Sequence, residues 1–291
     1  MAPSLTPLER LRRSGIAPDR GLGQNFLIDP NILDVIERMA SLGPDDVVLE
    51  VGPGLGVLTE RLLDRCGEVH CVELDPRLGR LLSEEFGSRP NFHLHQGDAV
   101  RFDFGSLDPA PVKFVANLPY NVAAPLVMIS LGLPNLNFWC LMLQQEIASR
   151  LFAAPGGANY GGISVMTQLL AEKVSSRPVP AAVFYPRPRV RSSLLAFRRR
   201  REAGYAAAHV LRVKEIVYAC FSHRRKKLLN SLAEAEPGVL PAQAACESLA
   251  GRKRRLAAVL DAAGLDAGVR AQELTPPQFE RLGELINGDV G

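Results

Sequence analysis

From Asp46 to about Phe197, short runs of apolar and β-branched residues alternate with stretches in which apolar positions recur every three or four residues. Runs of the first kind are DVVLEV (46–51), EVHCVEL (68–74), NFHLHQ (91–96), VKFVAN (112–117), LNFWCLML (136–143) and SSLLAF (192–197), each suited to a strand. Helical spacing occupies 57–65, 76–86, 122–131, 145–152 and 161–171 between them. This regular alternation predicts an α/β domain built on a doubly wound parallel sheet. A further amphipathic helix is expected before the first strand, where Ile32, Leu33, Val35, Ile36 and Met39 are spaced to face a core. Thr6-Pro7 reads as the N-cap and first-turn proline of a short helix earlier still.

The rhythm breaks at the proline-rich stretch 178–188 and at Arg198 to Gly204. Beyond it, segments at 207–221, 225–234, 241–249, 253–261 and 276–287 are rich in Ala and Leu, with helical spacing and no strand signal. Residues 1–204 are therefore expected to form the α/β domain with its N-terminal helical extension, and 205–291 a small all-α domain. A length of 291 residues suits two such units.

Charge sharpens this division. Residues 187–227 hold thirteen Lys or Arg against two Glu, although the whole chain carries only +3, so the remainder has an excess of eight negative charges. A basic segment on an otherwise acidic chain suits docking to a polyanion, because each neutralised phosphate releases condensed counterions; a solvated charged face is the plainer alternative. No apolar run reaches the roughly 20 residues of a membrane helix, and the N-terminus lacks the layout of a signal peptide. Glu9 and Asp19 interrupt what would otherwise resemble an Arg-rich transit peptide, so a cytoplasmic location and no membrane partner are expected. The five cysteines, at 66, 71, 140, 220 and 246, show no CxxC pairing and suggest neither a disulfide framework nor a zinc site. His93 and His95 alternate on one strand; two polar strand residues is the preferred reading over a metal pair, since no third ligand is suggested.

The candidate chemistry gathers where strands end. Glu50-Val51-Gly52-Pro53-Gly54-Leu55-Gly56 joins the first strand of the alternating region to its helix, and its glycines let a ligand approach the backbone beside free helix N–H groups. About 20 residues on, Glu73 ends the next strand, where a carboxylate can accept hydrogen bonds from both hydroxyls of a ribose. Asp98, in Gly97-Asp98-Ala99, follows the third and can accept from an adenine amine. Acids after strands also start ordinary turns. The spacing G-x-G-x-G differs from the G-x-G-x-x-G of nicotinamide cofactors and resembles the S-adenosylmethionine motif of Rossmann-like methyltransferases.

Asn117-Leu118-Pro119-Tyr120 closes the fourth strand. An exocyclic amine on an aromatic ring is a weak nucleophile because its lone pair is delocalised. The side-chain oxygen of Asn117 and a backbone carbonyl, that of Leu118 with Pro119 fixing its direction, can accept its two N–H bonds and aim the lone pair at a sulfonium methyl. Tyr120 offers a ring on which an unstacked base can lie, and Phe184 is a candidate for the opposite face. The same four residues also suit a plain strand-end turn.

Taken with Gly23-Gln24-Asn25-Phe26-Leu27, Val72-Glu73-Leu74-Asp75, Phe221-Ser222-His223-Arg224-Arg225-Lys226-Lys227 and Arg270-Ala271-Gln272-Glu273-Leu274, these motifs resemble the small-subunit (16S) ribosomal RNA adenine dimethyltransferases over nearly the whole chain. The resemblance implies an S-adenosylmethionine-dependent enzyme with a Rossmann-like domain and a small C-terminal all-α domain. It implies dimethylation of the N6 amines of two adjacent adenosines in a hairpin loop near the 3′ end of 16S rRNA, in an immature small ribosomal subunit, without a metal. By the same resemblance Asn25, Leu27, Gly52, Gly54, Glu73, Asp98 and Asn117 would hold S-adenosylmethionine, and Asn117, Leu118, Pro119, Tyr120 and Phe184 the target adenine. Arg224, Arg225, Lys226 and Lys227 would bind RNA. Arg191 departs from the family, which often has Asp there. Three alternatives remain open: a large-subunit adenine methyltransferase of the macrolide-resistance type, a non-catalytic RNA-binding assembly or transcription factor, and a dehydrogenase.

Overall fold

A computed structural model describes residues 6–19, 21–200, 207–223, 226–235, 239–240 and 248–288. They fall into two compact units: residues 1–148 with 172–199, and residues 149–171 with 200–291.

The first unit carries a seven-stranded sheet. Its strands, after the short β1 (Phe26–Leu27), are β2 (Val47–Val51), β3 (Glu68–Glu73), β4 (Phe92–Gln96), β5 (Lys113–Asn117), β6 (Phe138–Gln144), β7 (Ala171–Val179) and β9 (Ser192–Arg199). β8 (Phe184–Tyr185) pairs with β1 in a separate antiparallel ribbon. Within the sheet the order is β4-β3-β2-β5-β6-β9-β7. Pairings from β4 through β6 are parallel, and β9 runs antiparallel to β6. The helices are α1 (Pro7–Ser14), α2 (Pro30–Ala40), α3 (Val57–Arg65), α4 (Pro76–Phe86) and α5 (Ala123–Leu131), and the division between the units falls within α6 (Gln145–Leu151). Thr6 and Glu9 cap α1 reciprocally, as Thr6-Pro7 predicted.

The chain leaves β2 toward β3 on one side and returns to β5 on the other, so the order reverses between β2 and β5. Such a switch point opens a crevice beyond the carboxyl ends of the strands. All six expected strands form. The seventh, β7, was not expected: AEKVSSRPV is largely exposed and contains Pro178. An edge strand needs only one row of ladder bonds and one covered face, which is why proline and polar residues are tolerated there.

The second unit contains α7 (Gly162–Leu170), α8 (Ala207–Phe221), α9 (Leu228–Ala233), α10 (Leu249–Ala262) and α11 (Pro276–Asn287). α7 packs on α8 and α11. The buried Tyr160 donates its hydroxyl to the Leu274 carbonyl at 2.7 Å, and the Phe221 ring lies 6.0 Å from Tyr160 and 5.6 Å from Phe279. Residues 149–171 thus belong with a helical core whose other helices come from beyond residue 200. The change of rhythm along the chain marks where strands cease, and long-range packing carries this earlier segment across that mark. Of the expected helix at 241–249, residues 241–247 lie outside the described residues.

Candidate active site

The crevice at the switch point is a cavity in the first unit. It is lined by the turn after β2, by Glu73 and Asp98 after β3 and β4, by Asn117 to Val122 after β5, and by residues 22–27.

The turn after β2 is shaped by Gly52, Gly54 and Gly56, all with φ between +60° and +73°. At Gly56 the need is also steric, since a Cβ there would lie 2.5 Å from the Phe86 ring and 2.9 Å from Leu82. A Cβ at Gly54 would meet the ring of Phe26 at 3.1 Å. Missing side chains thus bring the turn under α4 on one side and under β1 on the other.

Two buried carboxyls flank it. Glu50 accepts the Thr59 hydroxyl at 2.7 Å and faces the Cys71 thiol at 3.5 Å. Burial pushes its pKa up to about 8, against the pull of those contacts, so the group is neutral over most of the ordinary range. Glu73 accepts the backbone N–H of Gly54 at 3.2 Å and of Asp75 at 2.9 Å. Burial raises its pKa, and the backbone donors oppose that rise. A carboxylate offers about four lone-pair sites, so acceptor capacity remains for a ligand hydroxyl. Asp98 lines the cavity while its Oδ1 accepts the Val100 N–H at 2.9 Å, so it both starts a turn and faces the site.

Asn117 ends β5 half-buried and donates its Nδ2 to the backbone carbonyl of Asn25 at 3.1 Å. A carbonyl only accepts, so this bond fixes which end of the amide is which and leaves Oδ1 as the outward acceptor. Tyr120 shares a hydrogen bond of 2.6 Å with Ser192, and burial raises the pKa of its hydroxyl. Leu118 and Pro119 line the cavity between them.

Ten of the expected residues therefore meet in one place: Asn25, Leu27, Gly52, Gly54, Glu73, Asp98, Asn117, Leu118, Pro119 and Tyr120. Phe184 is not among the lining residues. It is 1% exposed, pairs with Leu27 across the β1–β8 ribbon and lies in the same hydrophobic cluster, so it backs Leu27. Lys226 is ion-paired with Glu234 at 2.6 Å and Lys227 precedes α9, whereas Arg224 and Arg225 lie outside the described residues.

Sequence reasoning missed the brace that steadies the cavity's N-terminal side. Gln24 donates to Asp75 at 3.0 Å and accepts the Asp19 N–H at 2.8 Å, tying the N-terminal segment to the loop after Glu73. Arg10, 3% exposed, contacts the carbonyls of Leu55 and Gly56 at 3.4 Å and pairs with Glu60 and Glu85. An arginine on an amphipathic helix gives no sign of burial, so only the fold reveals it. His93 and His95 do lie on one face, but they stack on His70, which bonds His95 at 3.1 Å and the Pro109 carbonyl at 3.0 Å. No cluster of three metal-ligating side chains occurs among the described residues.

A family model described as "Ribosomal RNA adenine dimethylase" matches residues 19–245. The chain is 43% identical to "Ribosomal RNA small subunit methyltransferase A" of Rubrobacter xylanophilus, across 91% of this chain and 94% of that one. Among solved structures, the 23S rRNA methyltransferase ErmE superposes with a TM-score of 0.62 at 31% identity, covering 90% of this chain and all of that one. A dimethyladenosine transferase from Plasmodium falciparum shares the fold, with a TM-score of 0.72 at 24% identity over 88% of this chain and 95% of that one.

Proposed function

The chain belongs to the ribosomal RNA adenine dimethylase family, and on that premise we propose that it dimethylates the N6 amines of two adjacent adenosines of 16S rRNA. The proposed setting is a hairpin loop near the 3′ end of an immature small subunit, in the cytoplasm. The observation that carries the reading is the Asn117 amide, fixed through Nδ2 by the Asn25 carbonyl so that Oδ1 stands ready as an acceptor.

S-adenosylmethionine supplies an electrophilic methyl group on a sulfonium. The residues present suit it: the glycine turn lines the cavity with bare backbone, where a Cβ at Gly52 would press on Pro119 of the other wall, and Glu73 keeps acceptor capacity for a ribose diol. Asn25, Leu27, Gly52 and Gly54 would shape that site, and Asp98 would accept from the adenine amine of the methyl donor. On the other wall, Asn117 Oδ1 and the Leu118 carbonyl would accept the two N–H bonds of the target amine and turn its lone pair toward the methyl group. Catalysis is then mainly positioning. No strong base is needed, because the amine becomes acidic only once methylated and its proton can leave to solvent. Tyr120 would stack on the extruded base. Residues 205–291, including Arg224 to Lys227, would supply phosphate contacts.

The test is mass spectrometry of ribosomal RNA from cells carrying wild-type or Asn117→Ala protein. Dimethyladenosine in 16S rRNA should be lost in the variant while RNA binding persists. Full modification by the variant refutes the mechanism. Modification of large-subunit RNA instead would move the enzyme to the ErmE-like reading, and normal modification in cells lacking the protein would favour a binding factor.

A further inference from the structure

From the last residue of β8 to the start of β9 runs Tyr185-Pro186-Arg187-Pro188-Arg189-Val190-Arg191, a segment the proposed chemistry leaves unused. Both of its ends are fixed to the cavity. At the start, β8 pairs with β1, aligning Tyr185 with Phe26 and Phe184 with Leu27. At the end, Ser192 is hydrogen-bonded to Tyr120, and the Arg191 carbonyl accepts the N–H of Gln145 at 2.8 Å.

Between these anchors, burial alternates. Tyr185, Arg187 and Arg189 are exposed, Pro186 and Pro188 are half-buried, and Val190 and Arg191 are again exposed. The prolines fix φ and remove two backbone donors, which holds the segment out of the sheet ladder and leaves the alternate side chains facing solvent. None of the three arginines pairs with a carboxylate among the described residues. Like charges so close repel one another, and a half-exposed tyrosine beside them (47%) leaves apolar ring area in water. An oligoanion carrying flat bases relieves both costs at once: guanidinium groups pair with phosphates through fork geometry, and the ring accepts a stacked base.

We infer that residues 185–191 form an RNA-docking arm that grips the single-stranded nucleotides flanking the target adenosine, with Arg187, Arg189 and Arg191 on successive phosphates and Tyr185 under a neighbouring base. The arm rests on the proposed function and adds a contact set separate from the basic helical unit. Because it is tied to Tyr120 through Ser192, it couples phosphate grip to the placement of the target base. Arg191, exposed at the end of the segment beside Ser192, belongs to this grip.

The experiment compares wild-type protein, Arg187→Ala/Arg189→Ala/Arg191→Ala and Tyr185→Leu, with Tyr185→Phe as the conservative control. Binding to a hairpin RNA bearing the two adenosines is measured from 50 to 300 mM salt, and S-adenosylmethionine binding is measured by calorimetry. The triple variant should bind the hairpin about tenfold or more weakly, with a log–log salt slope shallower by about 2, since each lost phosphate contact on a single strand removes about 0.7. KM for RNA should rise far more than kcat falls. Tyr185→Leu should weaken binding several-fold without changing the slope, and Tyr185→Phe should restore it. Affinity for the methyl donor should stay at the wild-type value in all variants, which certifies the fold. An unchanged slope in the triple variant, with wild-type protein binding and methylating normally, overturns the arm and leaves the proposed function standing. Absence of methylation of immature small subunits by wild-type protein overturns the proposed function itself.

Discussion

The two walls of the cavity are built differently. The wall formed by the glycine turn, Glu50 and Glu73 is buried and closed on itself: each acid is held by hydroxyl, thiol or backbone donors, and Arg10 and Gln24 brace it. The wall from Asn117 to Tyr120 is half-buried apart from Leu118, and two side-chain hydrogen bonds, to Asn25 and to Ser192, anchor it. A closed wall recognises a constant ligand by shape. A half-open one suits a reactant that must enter, turn and leave, carrying zero, one or two methyl groups.

The sharpest way to break the first wall is Gly56→Ala. Its positive φ costs a Cβ-bearing residue about 1–2 kcal/mol, and overpacking against Phe86 and Leu82 costs about 1–3 kcal/mol more. Denaturant unfolding should therefore show a loss of about 2–5 kcal/mol; wild-type stability would mean that the turn relaxes freely and the wall is not rigid.

Next comes Glu50→Gln, read as a function of pH. The folded protein keeps Glu50 protonated to about pH 8, whereas the unfolded chain ionises it above 4.5. Its contribution to stability is therefore fully present below pH 4.5 and is withdrawn as pH rises to about 8, at up to about 1.4 kcal/mol per pH unit. The glutamine variant should lose this slope and become the more stable protein near pH 8, by a few kcal/mol at most. Parallel stability curves for the two proteins would show that Glu50 is ionised in the fold.

Glu73→Gln tests the ligand side of the same wall. One backbone N–H of Gly54 or Asp75 would then face an amide NH2, and a ligand hydroxyl would lose a charged acceptor. Charged hydrogen bonds are worth about 1.5–3 kcal/mol, so calorimetry should show S-adenosylmethionine binding weakened by about 10- to 100-fold. Unaltered affinity would remove Glu73 from the binding set.

How far each wall was legible in the sequence follows from the same contrast. The glycine turn, Glu73 and Asn117 stand at strand ends, and strand ends can be read from local periodicity. Asn25 and Leu27 have no local signal and were reached through resemblance alone, because their role depends on a ribbon between residues 26–27 and 184–185. Phe184 was expected to face the target base across from Tyr120; strand alternation buries it beside Leu27 and turns Tyr185 outward. Residues 149–171 joined the helical unit for a similar reason, since helical spacing says which face is apolar and not which partner covers it.

The smallest expected effect bears on the open wall. Tyr120→Phe removes the hydroxyl bonded to Ser192 and leaves the ring in place, at a cost of about 1 kcal/mol because the buried Ser192 hydroxyl loses its partner. Tyr120→Leu removes the ring as well, and base–aromatic stacking is worth about 1–3 kcal/mol. If the wall works by stacking, kcat/KM for RNA should fall only a few-fold in the phenylalanine variant and about tenfold or more in the leucine variant. Equal losses in the two would instead make the Tyr120–Ser192 bond the element that matters, and the open wall would then depend on buried hydrogen bonding as the closed one does.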